Sequence, residues 1–188
     1  MSNARILADL MGTSTTVPSS KLSLVTGDMP SGSVLQVKQI EDNTVDSFSA
    51  SATSTTPQFD AVSLSITPSS TSNKILVIGK ATVGAAGTNY DFSLGLKRNG
   101  TLVGGNTNSS NFLGTNVMVS SIPSAESPGT AVFNYLDSPS STSSVTYTIA
   151  VWGGENATYY INRGASVNSG RNWANSGGAS LILMEIAG

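Results

Sequence analysis

The sequence predicts an all-β fold, a jelly-roll-like β-sandwich that follows a short N-terminal helix and a linker. Apolar and small polar residues alternate in several segments, most regularly from Val145 to Trp152, as expected for strands with one buried face. Clusters of Gly, Pro, Asn and Ser separate these segments at short intervals, which is typical of sandwiches and jelly rolls. No stretch after Met11 shows a helical period of useful length.

The first 31 residues are predicted to form an anchor segment and linker, and residues 32–188 the sandwich. Ser2 or Asn3 is a suitable cap for a short helix that stops at Gly12. Because so short a helix is marginal in water, we expect it to dock on a larger assembly; a frayed tail is the alternative. The predicted anchor residues are Ile6, Leu7, Leu10 and Met11.

Ten segments of the sandwich region have the pattern of strands. In chain order they are residues 33–40, 62–66, 75–78, 92–96, 101–103, 112–122, 130–137, 145–152, 156–162 and 181–186. Segments 75–78 and 181–186 are apolar on both faces, so they need a cover on both sides, from two layers of the domain or from a neighbouring subunit. The last segment is the predicted oligomer seam, formed by Leu181, Ile182, Leu183, Met184 and Ile186.

Turn signals connect these strands. Asn99-Gly100 indicates a type I′ hairpin turn, because both residues tolerate the positive φ angles that this turn needs. Residues 68–72 and 139–143 are the same pentapeptide, Pro-Ser-Ser-Thr-Ser, and each follows one strand and precedes another. The repeat indicates one connection geometry that the chain uses twice.

The composition excludes several classes of protein. The chain contains 32 Ser, 20 Thr, 15 Asn and 19 Gly, close to half of its 188 residues, whereas charged residues make up only 11%. The lack of Cys and His excludes disulfides, thiolate or imidazole zinc sites and His-based catalysis. A net charge of −2 argues against a nucleic-acid partner. No apolar stretch is long enough for membrane insertion, and the N-terminus does not have the pattern of a secretory signal.

Two runs of sequence carry a resemblance to a known group of proteins. Residues 64–77 (LSITPSSTSNKILV) and 133–139 (FNYLDSP) resemble small phage tail-fibre-like and virion surface proteins, those of phages of marine bacteria and cyanobacteria in particular. The opening residues 2–5 and the ending 178–187 are similar to the same group, and the resemblance covers about residues 33–188. It implies a trimeric β-sandwich on a virion, assembled in the host cytoplasm, as a tail fibre, a head fibre or a capsid decoration.

The acidic residues give no sign of catalysis. They are scattered, and most are interpreted as turn or cap residues, among them Asp28, Asp91 and Asp137. We therefore expect a non-enzymatic protein with no catalytic residue, metal site or cofactor. A glycan hydrolase that uses carboxylates alone remains a third-ranked hypothesis, since two acids roughly 5–10 Å apart suffice for that chemistry.

A Gly- and Asn-rich stretch from Trp152 to Gly178 concentrates aromatic residues and arginines. Aromatic faces stack on sugar rings, while Asn and Arg form hydrogen bonds to hydroxyl groups, so this stretch is a candidate glycan-contact region. The alternative is that Trp152 and one Tyr are core residues and that Trp173 holds a loop in place. The candidate glycan contacts are Tyr159, Tyr160, Arg163, Arg171, Asn172 and Trp173.

Together these observations predict a structural component of a bacteriophage virion, a homotrimeric tail-fibre or appendage protein. It would dock on other virion proteins through its N-terminus and contact host surface glycans. Two alternatives remain: a capsid decoration (cement or head-fibre) protein, and a stand-alone carbohydrate-binding adhesin module. A docking helix in residues 1–12 discriminates between these classes, because a free lectin has no use for it.

Overall fold

Eleven β-strands form the part of the chain that the structure describes, which contains no helix. The structure is a computed structural model and describes residues 29–105, 115–166 and 177–188. The strands are β1 (Val34–Asp42), β2 (Asp46–Ser49), β3 (Phe59–Ile66), β4 (Lys74–Ala85), β5 (Tyr90–Arg98), β6 (Thr101–Val103), β7 (Thr115–Ile122), β8 (Gly129–Asp137), β9 (Val145–Gly153), β10 (Thr158–Ile161) and β11 (Ala179–Ile186). The predicted all-β sandwich is confirmed, and the predicted N-terminal helix lies outside the described residues.

Strand β4 organises the six-stranded sheet, in which all pairs are antiparallel. One edge of β4 pairs with β8 along residues 75–83. The other edge pairs first with β11, along residues 74–80, and then with β10, along residues 83–85. Strand β1 flanks β11, and β2 flanks β10. The sheet therefore divides into two branches on one side of β4, near residues 81 and 82.

The second sheet has five strands, again antiparallel, in the order β3-β9-β5, with β6 and β7 sharing the far edge of β5. The core lies between the inner faces of the two sheets, where alternate residues of each strand meet. The largest side chains that are fully buried there are Tyr147, Tyr159, Phe92, Ile66, Ile75, Leu94, Leu96, Ile122, Ile149, Ile161, Leu181 and Leu183.

Strand β2 is the element that the sequence pattern did not predict, because its four residues include a single apolar side chain. Phe48 of this strand stacks on Phe59 of β3 and on Tyr159 of β10, with ring centroids 5.4 Å and 5.6 Å apart. This contact between the two sheets explains why β2 forms although its own sequence is a weak strand signal.

The predicted turns are present. Asn99 and Gly100 have φ angles of 48° and 84°, so the hairpin between β5 and β6 has the positive φ values of a type I′ turn. The two identical pentapeptides play a common role: residues 68–72 lead from β3 to β4, and residues 139–143 lead from β8 to β9. Each carries the chain from one sheet to the other, so both are crossovers rather than hairpins.

Candidate functional site

The outer face of the six-stranded sheet carries apolar side chains on four neighbouring strands. Residues paired in an antiparallel sheet share a face, so the strand register defines rows across it. One row consists of Val37, Met184, Leu76 and Leu136, from β1, β11, β4 and β8. The next row consists of Gln39, Ile182, Ile78 and Asn134. We call this surface the outer sheet face.

The structure divides the five predicted seam residues between two environments. Leu181 and Leu183 have no exposed surface and belong to the core of a single copy, so their assignment to an oligomer seam is wrong. They pack against the second sheet of the same chain because alternate residues of β11 point inward. Ile182, Met184 and Ile186 are half-buried on the outer sheet face, where the seam remains a prediction.

The outer sheet face is apolar over a substantial area. Val37, Leu136 and Val132 are 55%, 49% and 58% exposed, respectively. The two rows, about 6.8 Å apart, on four strands about 4.8 Å apart span, with their side chains, roughly 260 Å². The largest apolar patch on a typical monomer covers about 300–600 Å² and is often functional, so this face lies just below that range.

Charged residues on the outer sheet face lie at its ends. Lys74 pairs with Ile186 at one end, and Lys80 pairs with Ser180, itself beside Glu41, at the other. The rows between them contain only apolar and amide side chains. Sequence reasoning identified the β11 part of this surface but missed Val37, Val132 and Leu136. The doubly apolar run 75–78 was the available signal, but sequence alone does not say which strands flank it.

The candidate glycan contacts also lie in different environments, some in the core and some at the surface. Tyr159 is fully buried, and its hydroxyl donates a hydrogen bond to the backbone carbonyl of Asp91 and accepts one from the backbone N–H of Glu155. Burial raises the pKa of Tyr159 above its usual value. Tyr159 is therefore a core residue, and its assignment as a surface contact is wrong.

Tyr160 and Arg163 remain accessible. The guanidinium carbon of Arg163 lies 4.4 Å from the centroid of the Tyr160 ring, within the range of a cation–π contact, and both side chains are half-buried. Trp152 is buried, as the alternative interpretation expected. The other candidates, Arg171, Asn172 and Trp173, lie outside the described residues, and so do all four predicted anchor residues.

Two buried carboxylates close the end of the sandwich where both pentapeptides cross. In the register, Ile75 of β4 pairs with Glu185 on one side and with Asp137 on the other. Asp137 accepts hydrogen bonds from Arg98 at 2.9 Å and from the Tyr147 hydroxyl at 2.6 Å. The interpretation of Asp137 as a simple turn residue was therefore incomplete. Burial, together with Asp137, raises the pKa of Tyr147 far above its usual value.

Glu185 has no cationic partner in the described residues but accepts several hydrogen bonds. They come from the side chains of Gln36 and Asn73, each at 2.6 Å, and from the backbone N–H and hydroxyl of Ser69, at 2.6 Å and 2.8 Å. Burial raises the pKa of Glu185, but these hydrogen bonds outweigh burial and hold the pKa below its usual value. The ionised carboxylate thus ties the first crossover to β11.

Other kinds of site have no support within the described ranges. No group of three or more Asp, Glu, His or Cys side chains is arranged to hold a metal ion there. The described residues likewise include no helix with the length and hydropathy of a membrane span.

No protein-family model and no curated protein sequence matches the chain. Among solved structures it is similar to particles of infectious bursal disease virus. For the derived T=1 particles the identity is 11% and the TM-score 0.37, and the match covers 81% of this chain and 36% of that chain. For the VP2 subviral particle the identity is 11% and the TM-score 0.34, and the match covers 81% of this chain and 38% of that chain. For the Gx strain the identity is 11% and the TM-score 0.37, and the match covers 81% of this chain and 40% of that chain. This chain thus matches less than half of each viral chain, and at such TM-scores the likeness carries no argument about function.

Proposed function

We propose that the chain is a non-enzymatic structural component of a bacteriophage virion, a homotrimeric tail-fibre or appendage protein. It packs against neighbouring copies through the outer sheet face and docks on other virion proteins through residues 1–12. Assembly takes place in the host cytoplasm, and the mature protein contacts host surface glycans. The resemblance of residues 64–77 and 133–139 to virion surface proteins supports this setting.

The outer sheet face is the observation that carries the proposal. The inner residues of β4 and β11 already form the core, so the sandwich does not need Leu76, Ile78 and Met184 on the opposite side. Covering such a face removes apolar area from water, which favours association by about 25 cal/mol per Å². Its roughly 260 Å² is about a third of the ~800 Å² that each partner buries in a standard interface, so flanking surfaces have to contribute the remainder.

Two alternatives use the same features differently. A capsid decoration protein would need the same seam and anchor but a different position on the particle. A stand-alone adhesin module would need only a sugar site, for which the half-buried Tyr160–Arg163 pair is the favourable observation. Electron microscopy of particles labelled with an antibody against the chain separates tail from capsid.

Removal of residues 1–12 tests the anchor and the virion role together. We expect the truncated chain to keep its fold, because residues 29–188 contain the whole described sandwich, but to be absent from particles that form in its presence. Quantitative mass spectrometry of purified particles measures the copies of each variant. The control replaces Thr15 and Thr16 of the linker by Ala and should enter particles as the full chain does.

The two parts of this proposal fail differently. Normal incorporation of the truncated chain would contradict the anchor. Absence of the full chain from particles would contradict the virion role. Release of reducing sugar from host polysaccharide by the purified chain would contradict its non-enzymatic character.

A further inference from the structure

A recess with mixed polar and apolar walls opens next to the outer sheet face, where the sheet divides into its two branches. It has a volume of about 420 Å³, inside the range of roughly 300–1,000 Å³ that is usual for small-molecule sites. Its walls come from the end of β1 and the turn after it, from β4, from the residue after β10 and from the approach to β11. The lining residues are Glu41, Asn43, Val45, Lys80, Asn162, Gly177 and Gly178.

Asn162 contributes a buried acceptor without a partner. Its side chain is held in place, because the Nδ2 group donates hydrogen bonds to the backbone carbonyls of Asp42 and Thr44, both at 2.9 Å. The residue is only 1% exposed, and its Oδ1 has no hydrogen-bond partner among the residues that the structure describes. Buried polar atoms almost always have a partner, so this oxygen points to a group that the described residues do not supply.

The recess has one acidic and one basic side chain, and neither forms an ion pair with another described residue. Glu41 supplies a carboxylate and Lys80 an ammonium group. The ion pairs of the described residues join Lys97 to Asp60 and Arg98 to Asp137, so neither includes Glu41 or Lys80. Glu41 would repel an anionic ligand and Lys80 would repel a cationic one, so either repulsion would offset part of the attraction to the other residue. A neutral ligand that both donates and accepts hydrogen bonds suits this set.

The walls of the recess combine bare backbone with an apolar side chain. Gly177 and Gly178 pass close to the side chains of Thr82 and Asn43, where a Cβ atom on either glycine would clash. Val45 is 57% exposed and offers an apolar wall. Apolar contact on a ring face together with hydrogen bonds to hydroxyl groups is the combination that a pyranose needs.

We propose that this recess binds one neutral pyranose unit of a glycan, with Asn162 Oδ1 and Glu41 accepting from sugar hydroxyls and Lys80 donating to one. Tyr160 lies two residues before Asn162, and its half-buried ring is positioned for contact with the next sugar unit. The inference deepens the glycan-contact part of the proposed function and names its site. It does not depend on the trimer.

NMR titration of the full, isotopically labelled chain tests the site. The sugar probes are glucose, galactose, mannose and N-acetylglucosamine, each added alone. Glycylglycine, a zwitterionic dipeptide, is the probe for a peptide ligand. We expect at least one sugar to shift the backbone amide signals of Gly177 and Gly178 and the side-chain amide of Asn162. A disaccharide of that sugar should bind more tightly, and Tyr160→Ala should remove the gain while leaving the monosaccharide affinity unchanged.

Matched variants separate the site from general effects. Glu41→Ala and Lys80→Ala should each weaken sugar binding at least tenfold. Both should keep the thermal midpoint, because neither side chain takes part in an ion pair of the described fold. Lys74→Ala, on the same strand and at the far end of the outer sheet face, should bind as the unaltered chain does.

Three results would overturn the proposal. They are no shift with any sugar, shifts that persist in both recess variants, and a response to glycylglycine alone, which would favour a peptide ligand. None of them affects particle incorporation, so failure here is distinguishable from failure of the virion role.

Discussion

Glu185 shows how much a single polar residue contributes to this sandwich. Glu185 is 1% exposed, and its carboxylate accepts hydrogen bonds from β1, from the first crossover and from the residue just before β4. Sequence reasoning had no basis for separating it from surface carboxylates, because its donors are 112 to 149 residues away in the chain. The same applies to Asp137 and its partner Arg98. Residues of this kind are found only once the pairing of the strands is known.

The pH dependence of stability tests the role of Glu185. Its pKa in the folded chain lies below the ordinary value of 4.5, so it contributes stability above pH 4.5 that is lost as the pH falls through the lower folded value. Glu185→Gln should lower the free energy of unfolding by about 2 kcal/mol at neutral pH, because the new amide NH₂ group faces donors. The variant should also lose less stability than the original chain on acidification. Urea unfolding at neutral and acidic pH measures both effects.

The control for this experiment is Glu155→Gln, in an exposed turn, which should leave stability and its pH dependence unchanged. Some acid sensitivity will remain in both variants, since hydrogen bonds from Thr44 lower the pKa of Asp42 too. An unchanged pH dependence in Glu185→Gln would contradict the role assigned to Glu185.

Strand β11 shows what alternation predicts and what it leaves open. The pattern of residues 181–186 located the strand and indicated that both of its faces are covered. It did not reveal which face belongs to the core, because a strand that is apolar on both sides reads the same in either orientation. The sequence pattern missed β2 for a different reason. Its one apolar residue, Phe48, stacks on aromatic rings of β3 and β10, and these contacts do not show in the local sequence.

A pair of adjacent substitutions tests the two faces of β11. Leu183→Asp should prevent folding, because an unpaired charge in the core costs several kcal/mol, a large part of the roughly 5–15 kcal/mol that stabilises a domain. Met184→Asp should leave a folded chain, since the Met184 side chain lies on the outer sheet face. Circular dichroism and thermal unfolding compare the two. Folding of Leu183→Asp, or loss of folding in Met184→Asp, would contradict the orientation of the strand.

The fold class and most strands were predictable from alternation and turn signals, but the pairing of distant strands was not. The outer sheet face depends on that pairing: β1, β4, β8 and β11 place Val37, Leu76, Leu136 and Met184 side by side from separate parts of the sequence. The recess depends on it as well, since Glu41 and Asn162 meet only where the sheet divides. Both surfaces arise from tertiary structure.

The mass of the chain in solution tests assembly through the outer sheet face most directly. Light scattering should give three times the 19.2 kDa of one chain, and the trimer should survive removal of residues 1–31. Replacement of Leu136 and Met184 together by Lys should give a folded monomer. The matched control is Met118→Lys, which alters an apolar residue on the other sheet that is about as exposed as Leu136, and this variant should remain trimeric. A monomeric unaltered chain, or a trimer that persists in the double variant, would contradict assembly through the outer sheet face.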